Sequence, residues 1–284
     1  MKTSFRVDLG VPALLSFSGP DAVRFLNGQI TQDVKRCIDT SVSLPACITD
    51  AKGKLQFRVF LTECPDHSLW ISSVEHDAEA IEARLTRYLI ADDVEVGILT
   101  GKYHLHHLVG AAIPATGNAF ARKASRFGVE GMDLWIPAGE EIQFPEILET
   151  VTVDELEAFR IFHGAPAWGK ELGEGMLPPE AGLDLTDISY HKGCYIGQEV
   201  ISRIKSAGKV NRSMLLMMMP SAVPAKDGDE LFSDGAPAGF LTSVSPIAES
   251  DLRDGLALVK RTADRGNLQV KCGDGEFYDV KMRC

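Results

Sequence analysis

Lys192-Gly193-Cys194-Tyr195-Ile196-Gly197-Gln198-Glu199, followed by Arg203, is the most information-dense stretch of the chain. Its two glycines flank Cys194-Tyr195-Ile196 and permit a sharp turn with close backbone approach, because a residue without a Cβ enters left-handed conformations at little steric cost. Gln198 to Ile204 then reads as the opening of a helix. A cysteine shortly after Lys192 and ahead of a helix N-terminus sits in positive potential, which favours the thiolate. Tyr195 offers a flat ring for stacking, with a hydroxyl at its edge. On these residues alone, a reactive thiol and a buried structural cysteine in a tight turn stand as equal alternatives, since free cysteine is among the most buried residue types.

Upstream of this stretch, strand and helix signals alternate. Leu15 and Phe17 point opposite to Leu14, Ser16 and Ser18, the period of a strand; Gly19-Pro20 ends it, and Pro20 suits the first position of a helix over 20–27. Residues 46–49, 55–62 and 69–73 read as strands, with Asp50-Ala51-Lys52-Gly53-Lys54 a hairpin in which Gly53 takes positive φ. Val74, Ala78, Ile81, Leu85 and Leu89 mark an amphipathic helix. Strands are expected over 94–99, 105–113, 119–121 and 132–136, and Thr152-Val153-Asp154-Glu155 is a capping box that starts another helix. From Met214 onward, short apolar runs at 214–219, 230–232, 239–244, 255–259, 268–270 and 278–280 are punctuated by Gly, Pro, Asp and Ser, as in a small terminal β-barrel. Met214, Met217, Met218 and Met219 read as barrel core, where methionine fills irregular gaps. The expectation is an α+β chain with a region over 1–208 and a C-terminal β-barrel domain over 209–284.

Composition narrows the function. The chain has 284 residues, 45% hydrophobic and 24% charged, which is ordinary for a soluble globular protein and excludes disorder as the main state. With 29 basic against 40 acidic side chains the net charge is -11, which argues against a surface that grips nucleic acid or an anionic bilayer. The apolar run Met214 to Met219 stops at Pro220, far short of the ~20 residues that span a bilayer. Lys2 and Arg6 are followed by Asp8 without an apolar segment between them, so no secretory leader is expected. Cys37, Cys47, Cys64, Cys194, Cys272 and Cys284 form no C-x-x-C pair, which points to free thiols in a reducing, cytoplasmic compartment. His104, His106 and His107 cluster, but alternation puts His107 on the opposite face and no carboxylate or thiol lies at ligand spacing, so no metal site is expected there.

The string from Lys192 to Glu199 with Arg203 resembles the signature of the YgfZ-type folate-binding proteins, relatives of the glycine cleavage T-protein. Further resemblances run through the chain: Gly19-Pro20-Asp21-Ala22 to Asp33-Val34, the Asp50–Lys54 hairpin, Arg160-Ile161 to Gly164-Ala165-Pro166, Pro178 to Leu183, and Gly239-Phe240-Leu241-Thr242-Ser243. The resemblance implies a three-lobed ring of the T-protein type, the region 1–208 forming two interleaved α+β lobes, with tetrahydrofolate or a one-carbon derivative as cofactor. It also implies support of iron–sulfur cluster assembly or repair, with iron–sulfur client proteins or assembly factors as partners and an indirect effect on tRNA modification. The candidate residues are Cys194 as the functional thiol; Lys192, Gly193, Tyr195, Gly197, Gln198, Glu199 and Arg203 in the signature turn and toward folate; and Gln29, Lys52 and Gly53 from the upstream motifs. The resemblance would also put a catalytic carboxylate just after the hairpin, where this chain has Leu55-Gln56-Phe57-Arg58, and a glutamate where it has Phe162. Without these carboxylates an aminomethyltransferase is not the expected activity. A folate-dependent one-carbon transferase or demethylase and a tRNA-binding module are the two alternatives.

Charge is unevenly distributed around the signature. From Tyr190 to Ser213 the cations Lys192, Arg203, Lys205, Lys209 and Arg212 oppose Glu199 alone, whereas Glu171 to Asp187 carries only acids. A local cationic strip of this length suits a small polyanion such as a folate glutamate tail better than a long nucleic acid, and for the lysines beyond Arg203 a solvated loop is an equal alternative.

Overall fold

The computed structural model describes residues 2–111, 117–208 and 210–283; Ile113, Lys209 and Cys284 lie outside them. The chain packs as two compact units, neither continuous in sequence: 1–151 with 184–202, and 152–183 with 203–284. A single boundary at 208/209 would leave 152–183 with the first region, but this stretch packs with the barrel, and the last crossing falls at Ser202/Arg203.

The first unit is built on a nine-stranded sheet. Its strands are β1 (Phe5–Gly10), β2 (Ala13–Ser18), β3 (Val42–Thr49), β4 (Leu55–Glu63), β5 (Leu69–Ser73), β6 (Glu95–Ile98), β7 (Tyr103–Val109), β8 (Phe120–Arg126) and β9 (Val129–Pro137). Their order is β1-β7-β9-β8-β3-β4-β5-β2-β6, antiparallel except where β3 meets β8. Two helices, α1 (Ala22–Gln29) and α2 (Ala78–Thr86), bury Phe25, Leu26, Ile81 and Leu85 against Leu15, Phe17, Ile48, Leu61 and Ile71. The strands read at 14–18 and 55–62 therefore belong to a sheet with one face under helices. The amphipathic segment starts its helix only at Ala78, and Val74 stays outside it. Likewise α1 begins at Ala22 instead of Pro20. Gly19 takes φ of 103°, and the Asp21 N–H donates to the Asp93 carbonyl at 3.2 Å, so Pro20 belongs to the turn that launches the helix.

The second unit holds α3 (Val153–Phe162) and a closed barrel of β10 (Arg212–Pro220), β11 (Glu230–Ser233), β12 (Ala236–Val244), β13 (Leu252–Lys260), β14 (Leu268–Lys271) and β15 (Phe277–Met282). The capping box forms as its residues demand: the Glu155 N–H donates to Thr152 Oγ1 at 3.2 Å and the Thr152 N–H to Glu155 Oε2 at 2.8 Å. Met217 and Met219 point into the barrel core with Leu231, Leu241 and Val259, while Met214 and Met218 are half-buried on the alternate positions. A fourth helix, α4 (Gln198–Ala207), contains the crossing between the units.

A buried cation organises the second unit. Arg160 on α3 forks onto Glu157 at 2.5 and 2.6 Å, reaches Glu171 at 3.0 Å and the Ala165 carbonyl at 3.1 Å, and donates to Ser243 Oγ at 2.7 Å. Ser243 in turn donates to Glu171 at 2.6 Å. Two motifs far apart in sequence, 160–166 and 239–243, are thus joined by one guanidinium whose fork geometry holds several acceptors at once. Replacing Arg160 by Met leaves the Glu171 carboxylate, whose side chain is 0% exposed, without its counter-charge. The expected loss is about 3–5 kcal/mol of folding stability in a denaturant titration; a midpoint unchanged from wild type would refute the role of this network.

Candidate functional site

The candidate site is assembled from three segments of the first unit: the turn after α1, the β3–β4 hairpin and the signature. Thr31 links them by an unbroken chain of bonds. Its N–H donates to the Cys47 carbonyl at 2.9 Å, its Oγ1 accepts from the Cys47 N–H at 2.8 Å and donates to the Asp187 carbonyl at 2.6 Å, and its own carbonyl accepts from the Ser189 N–H at 3.0 Å. Gln32 adds a donor to the Thr186 carbonyl at 3.0 Å. The hairpin closes through Asp50, whose carboxylate accepts from the N–H groups of Lys52 and Lys54 at 2.8 Å each, as an aspartate-led turn does. Gly53 there has φ of 71°, as its sequence position requires.

The hairpin and the signature meet glycine to glycine. A Cβ placed on Gly197, at φ of 88°, would lie 2.5 Å from the Asp50 carbonyl oxygen, 2.8 Å from Gly53 Cα and 2.8 Å from Thr49 Oγ1. A Cβ on Gly53 would meet the Gly197 carbonyl and Ile201 at 3.2 Å and Val200 at 3.3 Å. Thr49 Oγ1 donates to the Ile196 carbonyl at 2.6 Å, and the Ile196 N–H donates to the Gly28 carbonyl at 3.2 Å. Immediately beyond this contact α4 starts at Gln198, where the sequence places a helical turn.

Lys192 pins the other side of the signature. Its Nζ donates to the carbonyls of Asn27, Ile30 and Gln32 at 2.7, 2.8 and 2.7 Å. Burial pulls this ammonium down to about 7, but only the protonated form has a hydrogen for each of three acceptors, and the cage therefore works against that shift. The cation faces backbone oxygens, so its role is to hold the turn. The Tyr195 ring likewise lies inside, packed with Ile188, Tyr190 and Ile201, with Lys192 Nζ 5.2 Å from the ring centroid. It is 7% exposed and offers no open face for stacking; burial raises its phenol pKa. Cys194, between these two anchored residues, is exposed, whereas Cys37, Cys47, Cys64 and Cys272 are buried. Burial pushes the Cys37 thiol up to about 12 and also raises that of Cys47, with Asp187 adding to the latter.

The remaining sequence candidates separate into structural and open groups. Gln29 is buried, its Oε1 accepting from Arg84 at 3.2 Å, while the same guanidinium donates to Gln56 at 2.5 Å and the Thr49 carbonyl at 2.7 Å. Lys52 is exposed on the hairpin; Gly193 is exposed and its side faces Asn27; Gln198 is half-buried and Glu199 exposed at the start of α4. Arg203 is exposed on the part of α4 that belongs to the second unit, so it is not grouped with the others. Where the resemblance leads one to expect a carboxylate, Arg58 pairs with Asp187 at 2.7 Å, their side chains 17% and 0% exposed. Burial opposes the Arg58 charge and Asp187 more than restores it. Phe162, at the other departure, is covered by the Arg283 guanidinium 3.6 Å from its ring centroid. Thr31, Thr49, Arg84 and Asp187 escaped the sequence reading because isolated polar residues in a strand, a helix or a loop carry no spacing signal.

A scan against models of known protein families finds no match. The fold is that of the glycine cleavage T-protein: the aminomethyltransferase of Bartonella henselae superposes with a TM-score of 0.81 over 99% of this chain and 85% of its own, at 16% identity. In sequence the chain is 27% identical over 240 residues to the tRNA-modifying protein YgfZ of Escherichia coli O157:H7, covering 77% of this chain and 73% of that one. It is 26% identical over 231 residues to the mitochondrial iron–sulfur cluster assembly factor IBA57 homologue of Phaeosphaeria nodorum, covering 72% of this chain. It is 22% identical over 285 residues to the aminomethyltransferase of Shouchella clausii, covering 88% of this chain and 76% of that one. The chain spans 52% and 59% of the length of two fungal IBA57 homologues. It is thus a homologue of the YgfZ and IBA57 proteins with the T-protein fold, as the signature implies.

Three substitutions test this arrangement by equilibrium unfolding. Gly197→Ala forces a left-handed backbone and a clash with the Asp50 carbonyl, so it should cost more than about 3 kcal/mol, against about 1 to 2 kcal/mol for Gly53→Ala. Equal losses would contradict the asymmetry of the contact. Lys192→Met strips three carbonyls of their donor at once and should cost about 2 to 3 kcal/mol; a variant as stable as wild type would show that the cage contributes nothing.

Proposed function

We propose that the protein is a tetrahydrofolate-binding accessory factor for iron–sulfur cluster assembly or repair, acting through Cys194 and affecting tRNA modification indirectly. The observation that carries this reading is the exposure of Cys194 on a turn fixed on one side by Lys192 and on the other by the Gly53–Gly197 contact. A thiol held on a rigid support and open to solvent is suited to contact another protein or a metal cargo, and the four buried thiols are not. Its similarity to an iron–sulfur cluster assembly factor homologue and to a tRNA-modifying protein supports the same reading.

One feature of the donor set suits folate. The Tyr195 hydroxyl is buried without a hydrogen-bond partner, a condition that costs free energy until a polar group reaches it. The polar edge of a pterin would satisfy it, and exposed Lys52 on the adjoining hairpin would face the glutamate carboxylates. The bound folate would supply a one-carbon carrier. Cys194 would make transient contact with iron or a client. The transferase alternative has less support, because Arg58 and Asp187 neutralise each other at the position where an unpaired carboxylate would act. Among the described residues no helix is long and apolar enough to cross a membrane; a cytoplasmic place of action belongs to this proposal.

Cys194→Ala should leave folding intact by circular dichroism and abolish rescue of a strain defective in iron–sulfur maturation; full rescue removes the thiol role. Calorimetric titration of tetrahydrofolate into both proteins should give stoichiometric binding that survives the substitution. No binding by wild type removes the folate part, and turnover of methylenetetrahydrofolate with an aminomethyl donor would replace it by the transferase reading.

A further inference from the structure

Far from the signature, the register of β1 against β7 sets Asp8 directly opposite His106. His104 lies two residues along the same strand and, by the period of two, on the same face. The sequence shows no carboxylate near His104 and His106 because Asp8 arrives from the first strand of the sheet. His104 Nε2 lies 2.6 Å from Asp8 Oδ1, His106 Nδ1 lies 4.0 Å from the same oxygen, and the two imidazoles stack with centroids 4.8 Å apart. Three ligand atoms, one from each residue, fall within 4.8 Å of one another. His107 turns to the other face, where it is buried against Asp133 at 2.8 Å.

An ion pair between His104 and Asp8 accounts for two of the three residues and leaves the third unexplained. His106 is 7% exposed, and its Nδ1 is buried with no hydrogen-bond partner. Buried side-chain nitrogens are paired in the large majority of native sites, so this one points to a group the protein chain does not supply. The cluster opens on a cleft of about 480 Å³ whose lining includes Glu140 and Glu141. The nearest cation on the strand, Arg6, is directed away, over the Phe144 ring at 4.3 Å and onto the Leu148 carbonyl at 3.2 Å.

We propose that Asp8, His104 and His106 form a binding site for a borderline divalent transition-metal ion of the zinc class, with the remaining coordination positions open to the cleft. Two imidazoles and one carboxylate select this class over calcium or magnesium, which take oxygen ligands. Metal–ligand bonds of roughly 2.0–2.2 Å place tetrahedral donor atoms roughly 3.3–3.6 Å apart. Reaching that geometry lengthens the His104–Asp8 contact and shortens the His106–Asp8 one, changes within reach of side-chain rotation because Asp8 is 47% exposed. The open positions would accept water or an anionic ligand from the cleft. Neither Cys194 nor folate enters this inference.

Calorimetry with Zn²⁺ on the full-length chain should show one equivalent bound at this site. His104→Ala and His106→Ala should each weaken that binding tenfold or more, and Asp8→Asn severalfold. Because His106 is buried, the more exposed His104→Ala variant decides the matter if His106→Ala fails to fold. His67→Ala, which dismantles the Asp39–Glu63–His67 group, and Cys194→Ser, which removes the exposed thiol, should leave this binding unchanged. Absence of zinc binding by wild type, or binding that His104→Ala leaves intact, overturns the proposal.

Discussion

Everything at the candidate site depends on a contact between two backbones, Gly53 against Gly197, where no side chain fits. Both residues take left-handed conformations, and each occupies space that a Cβ on the other would need. Close approach of this kind gains little by itself, but it brings Thr49 within reach of the Ile196 carbonyl and lets Ile196 reach Gly28. Backbone groups that would otherwise lie buried and unpaired on a loop are satisfied in this way, which is what allows a glycine-rich turn to be rigid. The hairpin, the turn after α1 and the signature are separated by up to about 170 residues in sequence and become one object through that contact.

The two units each use a buried cation, and they use it differently. Lys192 is surrounded by three carbonyl oxygens in the first unit, whereas Arg160 is surrounded by two carboxylates, a carbonyl and a hydroxyl in the second. An ammonium has three donors arranged around a point, which match three carbonyls converging from one turn. A guanidinium presents a planar fork, which matches acceptors spread over a helix, a loop and a strand. In both cases the cation joins segments that hydrophobic burial alone would bring near without fixing their register. Both cations therefore direct their donors at the protein's own acceptors.

That difference explains which parts of the structure could be read in advance. The strands over 55–62 and 69–73, the hairpin with Gly53, the capping box at Thr152 and the barrel runs were legible because local period and turn chemistry dictate them. The partners of Lys192 were not, since its acceptors are main-chain oxygens and any residue can supply one. The packing of Tyr195 was hidden for a related reason: an aromatic ring beside a cation serves equally well as a stacking platform or as packing, and the sequence does not carry its burial. The start of α1 moved from Pro20 to Ala22 because Asp93, remote in sequence, holds the Asp21 N–H.

The same distinction between local and remote information bears on the chemistry of the site. Leu55-Gln56-Phe57-Arg58 shows in sequence that a carboxylate is missing, but not what stands in its place. In the folded chain Arg58 pairs with a carboxylate from the stretch just before the signature, Asp187, at 2.7 Å. Thr186 adds a hydrogen bond to the same carboxylate at 2.6 Å, so its oxygens are engaged by the protein itself. A carboxylate whose oxygens already accept from a guanidinium and a hydroxyl has fewer lone pairs to offer a bound ligand. Cys194, two residues past the anchored Lys192, is by contrast a group that the scaffold leaves exposed.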